Sequence, residues 1–153
     1  MKYKYNTPYS IGRQLNLATS ASNALVSKLL EPHDLSLAQW TVLSSLWQNG
    51  ELSVKSLAEI KGNAPPATSR IVDRMLSGGL VERSQNRHDR RAVTVGLSQK
   101  GEDLRHLQSI YEEVNVILLE PLSPEESENF FKLLNSVEQA GRTWLAQSKV
   151  GDD

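Results

Sequence analysis

Apolar residues recur along this chain at helical spacing, with one interruption. From Pro8 to Leu30, the residues Ile11, Leu15, Ala18, Ser22, Leu25 and Leu29 alternate between spacings of four and three, as in a helix with one buried face. Pro32-His33-Asp34 breaks that helix. A second one opens at Ser36, with Gln39 placed to complete a capping box and Leu35 placed to staple onto Trp40. It runs through Val42, Leu43, Leu46 and Trp47 to a stop at Asn49-Gly50. Ser53 starts a short third helix, with Leu52 against Leu57, ending at Lys61-Gly62.

A fourth helix follows Asn63-Ala64-Pro65-Pro66, where proline's missing N–H is tolerated. Its period puts Thr68, Ile71, Val72 and Met75 on one face and Pro66, Ala67, Arg70 and Arg74 on the other, until Gly78-Gly79. Two β-prone runs interrupt the helical pattern there, Leu80 to Arg83 and Ala92 to Leu97, around a polar tip from Gln85 to Arg91. After Ser98 the stripe returns as Leu104, Leu107, Tyr111, Val114 and Leu118, in one long helix ended by Pro121. The box Ser123-Pro124-Glu125-Glu126 opens a last helix carrying Phe130, Leu134, Val137, Gly141 and Trp144.

Two helices joined by a short turn, the second followed by a β-hairpin, form a winged helix-turn-helix. The predicted fold is mainly α. Residues 1–34 form an N-terminal dimerisation helix, 35–98 the winged unit, 99–147 C-terminal dimerisation helices, and 148–153 a tail. The striped helices outside the winged unit carry more apolar surface than it can cover, which predicts a two-fold dimer.

Composition refines this picture. Of 153 residues, 39% are hydrophobic and 23% charged, as in a globular protein free in solution. No apolar run approaches the roughly 20 residues of a membrane span. The start, Met1 to Asn6, lacks the pattern of a secretory signal, so a cytoplasmic location is expected. The absence of cysteine excludes disulfides and thiol catalysis. Net charge is −1, yet between Lys61 and Lys100 eight Lys/Arg face three Asp/Glu, whereas beyond Lys100 four bases face eleven acids. The positive field is concentrated where the hairpin and its preceding helix lie, a distribution suited to phosphate.

Arg70 and Arg74 lie side by side on one helical face, placed for a guanine edge and a phosphate. The alternative is a solvated pair, with Arg70 bonded to Asp73. Arg87, Arg90 and Arg91 on one hairpin tip repel one another unless an anion compensates, and a narrow minor groove supplies that potential. Arg83 is expected to brace the wing against Glu82 or Asp89. His33, His88 and His106 have no ligand spacing, so no metal is expected, and no cofactor is called for. No nucleophile elbow is present, and an enzyme is not expected. Trp40 and Trp47, seven apart, read first as core.

Three fragments in order, Gly79-Leu80-Val81-Glu82-Arg83, Asp89-Arg90-Arg91 and Leu97-Ser98-Gln99-Lys100-Gly101, resemble the MarR family of bacterial transcription regulators. That family shows Gly-Leu-Val/Ile-x-Arg, Asp-x-Arg and Leu-Thr-x-x-Gly at similar spacing, and the helix order matches over nearly the whole chain. The resemblance implies a homodimer on double-stranded DNA, its recognition helices in successive major grooves of a pseudo-palindromic operator and its wings in the minor grooves. Pro66, Ala67, Ser69, Arg70 and Arg74 would contact DNA from the helix, and Arg87, Arg90 and Arg91 from the wing, with Asp89 bracing an arginine. Pro66 and Ala67 stand where the family often has Ser or Thr, which implies contact with thymine methyls. The resemblance also implies a small aromatic or phenolic effector, for which Tyr9, His33, Trp40 and Trp47 would line a cleft. The expected function is transcriptional regulation, by repression. The alternatives are a helical protein-interaction module and a metal-responsive sensor using His33, Asp34 and His106.

Overall fold

Helix boundaries in this chain are set mainly by caps only a few residues long. The computed structural model describes residues 10–62, 64–85 and 93–148. Helix α1 (Ile11–Leu30) starts at Ser10, whose hydroxyl accepts from the Arg13 N–H, and ends in a 3-10 turn, Glu31–His33. Helix α2 (Leu37–Asn49) has the full capping box: Ser36 Oγ accepts from the Gln39 N–H at 3.3 Å, and Gln39 Oε1 accepts from the Ser36 N–H at 3.0 Å. Ser53 caps α3 (Val54–Lys61). Helix α4 (Pro65–Ser77) stops because Gly79 takes φ 68°, whereas Gly78 is still helical.

The hairpin strands are β2 (Val81–Gln85) and β3 (Val93–Leu97), antiparallel from Val81 opposite Leu97 to Gln85 opposite Val93. A third strand, β1 (Leu52–Ser53), pairs with the other edge of β3, Leu52 opposite Val95 and Ser53 opposite Thr94, giving the order β1-β3-β2. Two residues cannot show alternation, so β1 was not legible as a strand. Beside it the Glu51 carboxylate accepts from the Ser84 hydroxyl at 2.6 Å and the Thr94 hydroxyl at 3.0 Å. The Ser84 and Thr94 hydroxyls are also 2.8 Å apart.

Two compact units make up the chain, Met1–Val114 and Asn115–Asp153. In the first, Leu30, Val42, Leu43, Leu46, Leu57, Val72, Met75 and Val95 form a core at most 1% exposed. Thr68 lies in that core, fully buried, and its hydroxyl has no partner among the described residues.

The predicted long helix after Ser98 is broken into α5 (Gln99–Asp103), a 3-10 segment (Arg105–Ser109) and α6 (Ile110–Leu119). Side chains take the carbonyls a continuous helix would use. Trp47 Nε1 donates to Gly101 O at 3.1 Å, Trp40 Nε1 donates to Leu107 O at 2.9 Å, and His106 Nδ1 lies 3.1 Å from Asp103 O. A 3-10 turn advances about 20° more per residue than an α-helix, so five residues shift the stripe by about one position. Ile110 is accordingly buried, and Tyr111, expected on the stripe, is 46% exposed. Arg105 holds this break, pairing with Glu102 and donating to Trp47 O at 3.0 Å. Its hydrogen bond keeps the Glu102 carboxyl below the usual carboxylate range.

Gly101 shows why the segment after Ser98 needs a glycine. A Cβ there would stand 2.2 Å from the Leu80 carbonyl oxygen. In the second unit, α7 (Pro124–Ser148) begins at the predicted capping box, with Ser123 N–H donating to Glu126 Oε2 at 2.8 Å and Glu126 N–H donating to Ser123 Oγ at 3.2 Å. No α7 residue is buried, although it carries Phe130, Phe131, Leu133, Val137, Trp144 and Leu145. No helix among the described residues is long and apolar enough to cross a membrane.

Gly101→Ala should lower unfolding free energy by about 2 kcal/mol or more, since the methyl group meets backbone rather than a movable side chain. Thr68→Val should change it by less than about 0.5 kcal/mol or raise it, because the lost hydroxyl makes no hydrogen bond. Urea denaturation of both variants checks the pair.

Candidate nucleic-acid interface

Helix α4 presents two chemically different surfaces. Thr68, Val72 and Met75 face the core with no exposure, and Ile71 is partly buried, as the periodicity predicts. Pro65, Pro66, Ala67, Arg70, Asp73 and Arg74 are exposed, and Ser69 is half-buried. Every described member of the expected recognition set thus lies on one helix at or near the surface. Arg74 leans back, its Nε donating to Arg70 O at 3.3 Å. At the far end of α4, Lys100 Nζ donates to Gly78 O at 3.0 Å, a cation where the helix dipole is negative.

Arg83 finds a partner the sequence did not suggest. Instead of Glu82 it pairs with Asp73 of α4, Nη2 to Oδ1 at 2.7 Å, bridging β2 to the helix. The reason is geometric: Glu82 and Arg83 are adjacent on a strand and point to opposite faces. This bridge also takes the acid that was the alternative partner of Arg70. Among the described residues Arg70 forms no ion pair. The face of α4 is left with two guanidinium groups and one already neutralised carboxylate.

The hairpin's base is described: β1 pairs along the outer edge of β3, and Glu51 bonds a hydroxyl on each hairpin strand. Arg87, His88, Asp89, Arg90 and Arg91 lie outside the described residues, as does Tyr9. Asp73, Glu51 and Lys100 are the structural participants that sequence reasoning missed. Asp73 was visible only as a neighbour of Arg70, and Glu51 has no local signal because its partners are 33 and 43 residues away.

The residues expected to line an effector cleft take the following places. Trp47 is in the core with its N–H on Gly101, and Trp40 is half-buried with its N–H on Leu107. His33 is exposed and meets His106 edge-on, ring centroids 5.8 Å apart. Among the described residues no group of three or more His, Asp or Glu is placed to hold a metal.

Because the Arg83–Asp73 pair is half-exposed, Arg83→Ala should cost less than about 1 kcal/mol of stability. A double-mutant cycle with Asp73→Ala in denaturant measures the coupling. A cost several times larger would mean that the bridge carries the fold.

Comparison with known proteins agrees with this architecture. Residues 35–93 match the MarR family. YfiV of Bacillus subtilis (strain 168), an uncharacterized HTH-type transcriptional regulator, is 33% identical over 129 residues, which span 82% of this chain and 79% of that one. A mutant MarR from E. coli complexed with operator DNA superposes with a TM-score of 0.78 at 25% identity, over 89% of this chain and 99% of the other. The MepR–DNA complex of S. aureus shares the fold, with a TM-score of 0.77 at 22% identity over 86% and 98%. With its helix pair, its three-stranded wing sheet and a 33%-identical regulator alongside, this chain belongs to the MarR family of winged helix-turn-helix transcriptional regulators.

Proposed function

We propose that the chain binds a pseudo-palindromic operator as a homodimer and represses transcription by occluding polymerase. The observation that carries this reading is the exposed α4 face, where Arg70 and Arg74 stand beside an acid already neutralised by Arg83. A face so arranged attracts phosphate and leaves a guanidinium available for a base edge. The related MarR held in complex with operator DNA supports the same use of the fold. In this reading Ser69 and Arg70 reach bases, Arg74 reaches a phosphate, and Arg87, Arg90 and Arg91 enter the minor groove beside Asp89.

Dimerisation is supported by apolar surface at both ends of the chain. Ile11 is 65% exposed, Val116 72% and Trp144 67%, on helices that each repeat apolar residues along one face. A second copy would bury them by a two-fold axis, and that axis gives the operator its symmetry. A small aromatic or phenolic effector would act by binding two spacings of the recognition helices with unequal affinity. Such a ligand belongs near the half-buried Trp40 and exposed His33, so it should alter tryptophan fluorescence and operator affinity together.

Selection of bound sequences from random duplexes by the purified full-length chain tests the proposal. A palindrome with half-sites about one helical turn apart is expected. Arg70→Ala should relax preference at one base pair per half-site by about 1–3 kcal/mol, whereas Arg91→Ala should weaken all sequences alike and lower the salt slope by about 1. A monomer in sedimentation, or indifference to duplexes at low salt, would overturn the reading.

A further inference from the structure

We infer that the start of α4 reads the 5-methyl group of one pyrimidine in each operator half-site, accepting thymine and 5-methylcytosine alike. This inference rests on the operator-binding reading above and specifies what one part of that surface recognises.

Four backbone N–H groups normally stand open at the beginning of a helix. Here few are offered. Pro65 and Pro66 have no N–H, and the Ala67 N–H turns back onto Ala64 O at 3.1 Å, beside the first regular bond of the helix, Thr68 N–H to Ala64 O at 3.3 Å. Ala64, the N-cap residue, makes no side-chain cap. The one hydroxyl in this turn, on Thr68, is fully buried on the core side. What remains at the surface is Ala64, Pro65, Pro66 and Ala67, all exposed and all without a polar side-chain atom.

A surface with three of its four N–H positions absent or already bonded is a poor version of the anion seat that helix starts often provide. Nor can it satisfy the N7, O6, O4 or amino groups of a major-groove edge, and covering them without a hydrogen bond is unfavourable. The apolar feature of that groove in ordinary DNA is the thymine methyl. Recognition helices bring their N-terminal residues to base edges, so Pro66 and Ala67 are the side chains placed to meet it. Selectivity through the methyl alone has a corollary. With no donor or acceptor on its exposed side chains, the turn does not distinguish the thymine O4 from the amino group of 5-methylcytosine. Polar readout begins only at Ser69 and Arg70, further along the helix.

The test uses the full-length chain and the duplex it selects from random sequence, with each thymine replaced singly by uracil. At one thymine per half-site, loss of the methyl should weaken binding about fourfold, and loss at both half-sites about fifteenfold. Replacing that base pair by cytosine–guanine should weaken binding, and methylating the cytosine at C5 should restore most of the affinity. Ala67→Ser, which adds a hydroxyl to the turn, should shrink the thymine-to-uracil ratio while leaving the melting temperature within a few degrees. Tight binding that tolerates uracil at every position would overturn this inference and leave the operator reading standing, as would 5-methylcytosine no better than cytosine. Failure to select any duplex would overturn both.

Discussion

The winged unit closes on one backbone contact, the approach of Gly101 to the carbonyl of Leu80. Leu80 O also accepts from the Ser98 N–H at 3.3 Å, and Leu80 N–H returns to Met75 O at 2.9 Å. The Ser98 hydroxyl bridges the same place, donating to Gly79 O at 2.6 Å and accepting from the Gly101 N–H at 3.1 Å. Trp47 reaches in from α2 to Gly101 O. The end of α4, the start of β2, the end of β3 and the start of α5 are therefore joined by main-chain atoms with little freedom to give. The angle between α4 and the hairpin follows from packed backbone rather than from adjustable side chains.

On that rigid frame the electrostatics are local. A net charge of −1 says little about what this molecule attracts, because acids and bases are segregated along the chain. Arg83 illustrates how the segregation is refined by the fold. By pairing with Asp73 it removes the one acid from the exposed face of α4 and ties that helix to the strand beside it. Being half-exposed, the pair adds little stability, and its importance lies in which charges it leaves unopposed.

What could be read in the sequence was what has a short range. Each cap at Ser36, Ser53, Ser98 and Ser123 is declared within four residues, and all four were found where expected. The two faces of α4 were equally legible, since a 3.6-residue period sorts Thr68, Val72 and Met75 from Arg70 and Arg74 without knowledge of the rest. The features that escaped depend on distant partners. The helix after Ser98 breaks in a stretch where Trp47 and Trp40, 54 and 67 residues upstream, donate to its carbonyls. Strand β1 exists only because β3 lies alongside, and Glu51 is meaningful only beside Ser84 and Thr94. Nothing in a window of residues announces such meetings.

The sheet that binds Glu51 and β1 has one more consequence. A two-stranded hairpin ordinarily depends on its turn to set which residues face each other, and a slip of one position inverts its faces. Here a contact from outside the hairpin also holds the alignment, a carboxylate spanning the Ser84 and Thr94 hydroxyls beside the β1–β3 pairing. The pairing of β2 with β3 is thereby held at its base by a residue that belongs to neither strand.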